Sequence, residues 1–159
     1  MRVAANQTVK SSDSPRSSES FDVLVNVSEF EEAPGELIER AVRCALSAEA
    51  RGVGEISVTL LSDNAITVLN RDYLSKDRPT DVIAFSLGER DQIMGDVYIG
   101  FDQAVRQARD EGVSLDEELA RLAIHGTLHL LGHDHPDGPE RTNGPMFALQ
   151  ERLLRELLA

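Results

Sequence analysis

The stretch DVIAFSLGERDQIMGDVYIG (Asp81–Gly100) holds two strand-like runs with no helical pattern between them, and it decides the fold class. DVIAFSL (Asp81–Leu87) follows Pro79, which fixes the turn before it, and GDVYIG (Gly95–Gly100) is the second run. Upstream, EISVTLL (Glu55–Leu61) reads as a strand. Ser62, Asp63 and Asn64 then cap a helix carrying Ile66, Leu69, Asn70 and Tyr73. Earlier still, Pro34 opens a helical stretch through about Ala50, along which Leu37, Ala41, Cys44 and Ala45 recur at helical spacing. FDVLVNVS (Phe21–Ser28) alternates Phe21, Val23, Val25 and Val27 with other residues, the period of a half-buried strand. Downstream, Phe101–Glu111 forms a helix broken by Gly112, and Ser114-Leu115-Asp116-Glu117 is a capping box. The helix it starts runs to Gly132, a favoured terminator. A polar loop with Pro136, Gly138 and Pro139 leads to an amphipathic helix ending near Leu157. The order βαβαββααα predicts an α+β (α/β-like) domain: a small mixed four-stranded sheet packed with about five helices.

The chain of 159 residues suits one domain, and its 41% hydrophobic share can supply a core. The first twenty residues are polar and serine-rich and lack the basic start and apolar stretch of a secretory signal. They are expected to form a disordered tail (1–20) before a single domain over 21–159, with the cytoplasm as location. No apolar run approaches the ~20 residues a membrane span needs. The net charge of −12 argues against a surface that grips nucleic acid broadly, and no DNA partner is expected; a local basic site remains compatible with it. Cys44, the one cysteine, has no disulfide partner and reads as a small buried residue on a helix.

All four histidines, His125, His129, His133 and His135, fall in one short segment. His125 and His129 are i and i+4 on a helix, about 6 Å apart along its axis and on one face. Gly132 stops that helix and lets the chain turn back, so that His135 can join as a third ligand. Three neutral nitrogens with one position open describe a catalytic zinc site. The spacing His-x-x-x-His-x-x-Gly-x-x-His is the ligand frame of the metzincin proteases, but Gly126 stands where those enzymes carry their glutamate base. Peptide hydrolysis by that route therefore lacks its proton acceptor. His133 is the alternative third ligand. For Asp134 three roles stand open: orienting a ligand imidazole, acting as general base, or capping the turn.

The block HGTLHLLGHDH (His125–His135) resembles the signature His-Gly-x-Leu-His-Leu-x-Gly-Tyr-Asp-His of the YbeY family of bacterial rRNA-maturation endoribonucleases. Leu69–Ser86, LNRDYLSKDRPTDVIAFS, is similar to the family's Leu-Asn-x-x-Tyr-Arg-x-Lys-Asp-x-Pro-Thr-Asp-Val block, and Gly95–Ile99 to its Gly-Asp-Ile strand. The resemblance implies a zinc-dependent, single-strand-specific endoribonuclease acting in 16S rRNA 3′-end maturation and ribosome quality control. It implies one Zn2+ per chain on His125, His129 and His135, and single-stranded rRNA with ribosomal subunits or proteins as partners. Leu74 replaces the arginine that follows the family tyrosine. Arg71, one helical turn earlier, is the candidate to stand in for it, with Arg78 as another. His133 replaces the tyrosine of the metal block, and Gln150 a glutamate usual in the last helix. Arg71, Lys76 and Arg78 form the basic cluster expected to meet phosphate. With aromatics at 4% and no tryptophan, a wide base-stacking platform is not expected. Two other readings stay in view: a non-catalytic, metal-stabilised ribosome-assembly factor, and a metallohydrolase of another substrate.

Overall fold

The computed structural model describes residues 21–49, 52–88 and 92–159; the expected N-terminal tail and Ala50 lie outside them. The elements are β1 (Phe21–Asn26), α1 (Gly35–Glu49), β2 (Val53–Leu61), α2 (Asp63–Leu74), β3 (Val82–Ser86), β4 (Gln92–Gly100), α3 (Phe101–Glu111), α4 (Leu115–Leu130) and α5 (Pro145–Leu158). A short 3-10 helix, Gly138–Thr142, sits in the polar loop before α5, where the sequence pattern gave only a loop. The strands form one sheet in the order β1-β2-β4-β3. β1 and β2 run parallel, as do β2 and β4, while β3 pairs antiparallel with β4. The α+β class with a mixed four-stranded sheet and five α-helices is thus the one the element order predicts.

The helix crossing from β1 to β2 is what a parallel pair requires, whereas β3 and β4 need only a short connection to pair antiparallel. β4 begins at Gln92, three residues earlier than its apolar run, because its first residues pair in register with Val53 and Gly54 of β2. Ile56, Val58 and Leu60 alternate along β2 as one buried set, and Val97 and Ile99 of β4 continue it.

Helix α4 lies inside this assembly. It packs on β3 and β4 and is covered by α1, α3 and α5. From Glu118 to Leu128 every residue but Arg121 is buried, so the helix is enclosed nearly all round, with Glu118, His125 and Thr127 inside beside its apolar residues. Its start is capped as expected: the Glu117 amide donates to Ser114 Oγ at 3.0 Å. The Glu117 carboxylate is engaged by Arg121 at 3.0 Å, the i, i+4 partner on the same face. Gly126 marks a close approach to the sheet, since a Cβ there would lie 2.6 Å from Val97 Cγ1. The metzincin base position therefore faces the core, with no room for a side chain. Cys44 donates to the Leu153 carbonyl at 3.7 Å, joining α1 to α5 as a packing residue.

Candidate metal centre

The last turn of α4 and the loop after it bring three histidines together. His125 is buried and His129 half-buried, one turn apart on the same helix face. Gly132 takes φ +98°, a left-handed conformation open to glycine, and the chain doubles back there. His135 returns to the other two, with its ring centroid 5.0 Å from each of theirs. Ligand atoms from all three lie within 4.8 Å of one another.

Each imidazole is oriented through Nδ1. His125 Nδ1 is 2.6 Å from Gln150 Oε1, His129 Nδ1 is 3.0 Å from the His133 carbonyl, and His135 Nδ1 is 2.9 Å from the Pro136 carbonyl. All three partners are acceptors, which assigns the proton to Nδ1 and leaves Nε2 as a lone pair. Two of these lone pairs, on His125 and His129, face each other at 3.1 Å. Two lone pairs at that distance repel each other unless a cation lies between them. Nitrogens held 2.0–2.1 Å from a tetrahedral zinc ion are separated by about 3.3 Å, so the donor set and its spacing fit such an ion. Burial pushes the His125 imidazole down to about 4 and lowers His129 as well. Both rings are neutral at pH 7, as metal ligation requires.

The Gln150 amide is itself held. Its Nε2 donates to Glu151 Oε2 at 2.9 Å, which turns Oε1 toward His125. Glu151 is bound by Arg121 Nε at 2.9 Å, and Arg121 also pairs with the buried Glu118 at 2.6 Å. Burial would raise the Glu151 carboxyl, but the hydrogen bonds from Arg121 and Gln150 outweigh it and hold it low. A charged chain therefore runs from α4 through α5 and ends on the first histidine.

The other residues singled out from sequence separate. His133 turns away from the cluster, its Nε2 2.8 Å from Glu49 Oε1 at the end of α1. Asp134 Oδ1 accepts the His135 amide at 2.9 Å, which is the turn-capping geometry. Arg71 is exposed on α2 with its guanidinium on Asp72 at 3.2 Å, and it does not line the cleft at the histidines. Lys76 and Arg78 do line that cleft, with Leu74 and Thr80. Asn70, legible only as a helix residue, is buried and donates to the Arg78 carbonyl at 2.9 Å, holding the loop in place.

Two clefts meet at His125 and His135. The smaller, of about 200 Å³, carries Lys76 and Arg78; the larger, of about 420 Å³, runs between α3, α4 and α5 past Glu118, Phe147 and Gln150. Asp81 and Arg141 border both. Arg141, from the 3-10 helix, escaped the sequence reading because nothing local in a polar loop marks which side chain turns inward.

The model of the family described as endoribonuclease YbeY matches residues 21–158. The chain is 45% identical over 123 residues to the endoribonuclease YbeY of Aquifex aeolicus, covering 76% of this chain and 76% of that protein. It is 42% identical over 123 residues to that of Carboxydothermus hydrogenoformans, covering 76% and 84%. Its fold is similar to the solution structure of TM1509 from Thermotoga maritima, with a TM-score of 0.60 and 27% identity over 86% of this chain and 88% of that one.

Proposed function

The chain belongs to the endoribonuclease YbeY family, and from that premise we propose that it is a zinc-dependent endoribonuclease specific for single-stranded RNA. In this reading residues 21–159 act as one catalytic domain in the cytoplasm, maturing the 3′ end of 16S rRNA and serving ribosome quality control in contact with ribosomal subunits. The observation that carries it is the trio of histidines, with ligand atoms within 4.8 Å of one another, beside a cleft lined by Lys76 and Arg78.

His125, His129 and His135 would hold the metal. When bound, a divalent ion supplies Lewis-acid polarisation of a phosphoryl oxygen and a more acidic water. The chain's own residues do the rest. Gln150 and the His133 and Pro136 carbonyls fix the imidazole tautomers. Asp134 holds the turn that presents His135. Lys76 and Arg78 attract the backbone of a single strand into the smaller cleft, a local exception on an acidic chain. Gly126, packed against Val97, leaves no carboxylate for peptide hydrolysis at the position metzincins use.

The test is metal analysis of untagged protein paired with cleavage of single-stranded RNA by wild type and His129→Ala. One zinc per chain and activity lost in the variant support the reading; metal-free protein that cleaves equally well defeats it. Leu74 in the cleft favours one alternative, an assembly factor in which the metal serves folding. Metal-loaded protein that binds ribosomal subunits and leaves RNA intact would establish that instead.

A further inference from the structure

The guanidinium of Arg141 stands where the two clefts join. Its Nη2 is 3.5 Å from His125 Nε2 and 3.4 Å from Asp81 Oδ2. Asp81 is buried and fixed by the Val82 amide, which donates to its other oxygen at 2.8 Å. The carboxylate is therefore a rigid post against which a guanidinium can be aimed. The Arg141 side chain is 41% exposed, so it borders solvent as well as the histidines. Both contacts use Nη2 at long range, and Arg141 lines both clefts with donors on Nε and Nη1 besides.

A phosphodiester brings a negative charge to the junction of the two clefts. Lys76 and Arg78 line only the smaller cleft, and Leu74 contributes no charge there. Among the described residues bordering both clefts, Arg141 is the cation. A planar fork also matches two phosphate oxygens in a way an ammonium cannot.

We infer that Arg141 is the residue that grips the phosphate of the bound strand beside the histidine cluster, with Asp81 as its positioning residue. The inference rests on reading the site as one that cleaves phosphodiesters. The 3-10 helix thus carries a specificity element for a phosphate anion, supplied from the loop after the metal block instead of from α2.

The test compares metal-loaded wild type with Arg141→Ala and Arg141→Lys. Cleavage of single-stranded RNA is measured alongside calorimetric titration with inorganic phosphate at fixed ionic strength. The expected result for Arg141→Ala is a fall in kcat/KM of about 100-fold, the scale for loss of one positioned donor to an anionic transition state. Phosphate affinity should fall at least about tenfold, the weight of one charge-assisted pair. Arg141→Lys should recover part of both, and zinc content and melting temperature should match wild type. Unchanged kcat/KM and phosphate affinity in Arg141→Ala would overturn the inference. So would activity lost together with zinc or melting temperature in both variants, which would make Arg141 a support for Asp81 and His125. Wild type that binds phosphate through Arg141 but leaves RNA intact would sink the endoribonuclease reading and keep the phosphate site. Arg141→Ala that cleaves RNA as well as an active wild type does would sink this inference alone.

Discussion

His125 Nδ1 and Gln150 Oε1, 25 positions apart in the chain, lie 2.6 Å from each other inside the helical layer. The contact sets which nitrogen of His125 is free. Because Gln150 Nε2 is committed to Glu151, the amide cannot flip without losing a charge-assisted bond. Gln150→Ala should weaken zinc binding by about 10- to 100-fold, the range for lost partners of ligand histidines. Competition with a colorimetric chelator measures this, and wild-type affinity in the variant would show that the ring is held by packing alone.

Gly126 gives a prediction whose sign is informative. On an exposed helix, glycine to alanine stabilises by about 1 kcal/mol. Here the new methyl would lie 2.6 Å from Val97 Cγ1 and 3.2 Å from Val82 Cγ2, so α4 must lift from β4. Gly126→Ala should therefore destabilise by about 1–3 kcal/mol. Its denaturation midpoint should fall relative to wild type; a rise would mean the helix–sheet spacing is looser than described.

How much of this was legible in the sequence follows from the range of the forces involved. The strands were readable from alternation at Phe21–Val27 and the apolar run Glu55–Leu61, and Ser114 announced the start of α4 because a cap acts over three residues. The histidine trio was readable because helix pitch and one glycine bring its members together locally. Gln92–Met94 was not readable as strand, since its pairing is supplied by β2 and not by its own apolar content. Nor were Gln150's hold on His125 or the inward turn of Arg141, which depend on how α5 and the 3-10 helix pack against α4. The separation of His133 from His135 falls between these cases. Two histidines flanking Asp134 look alike in sequence, and only Glu49, at the far end of α1, draws one of them away.

That separation can be tested directly. His135→Ala removes one of three converging nitrogens and should abolish stoichiometric zinc. His133→Ala should keep the zinc, because its imidazole is spent on Glu49 at 2.8 Å and its carbonyl, which orients His129, survives the substitution. A half-exposed pair of this kind contributes about 1 kcal/mol or less, so the stability change should be small. Zinc lost on His133→Ala and kept on His135→Ala would reverse the assignment.

Acid should loosen the metal-free protein for a reason located at His125. Burial holds its imidazole down, to about 4 in the folded state, against an ordinary value of 6.5; the Gln150 contact pulls the other way and is outweighed. As pH falls below 6.5 the unfolded chain takes up a proton at this position, while the folded chain keeps the ring neutral until about 4. The unfolded state thus binds more protons throughout that window, so stability drops as pH falls from 6.5 to 4 and levels off below it. His125 alone accounts for at most about 3 kcal/mol of this loss. His129, lowered by burial in the same direction, adds to it. Denaturant titrations of chelator-treated protein at pH 7, 6 and 5 should show a falling midpoint, and His125→Gln should flatten the slope. Glu151 does not account for the upper part of the window, because it is held below its ordinary 4.5 and stays ionised there. A midpoint that holds steady or rises between pH 7 and 5 would mean the His125 ring is charged or solvated in the folded protein, and would remove the basis for its neutral, ligand-ready state.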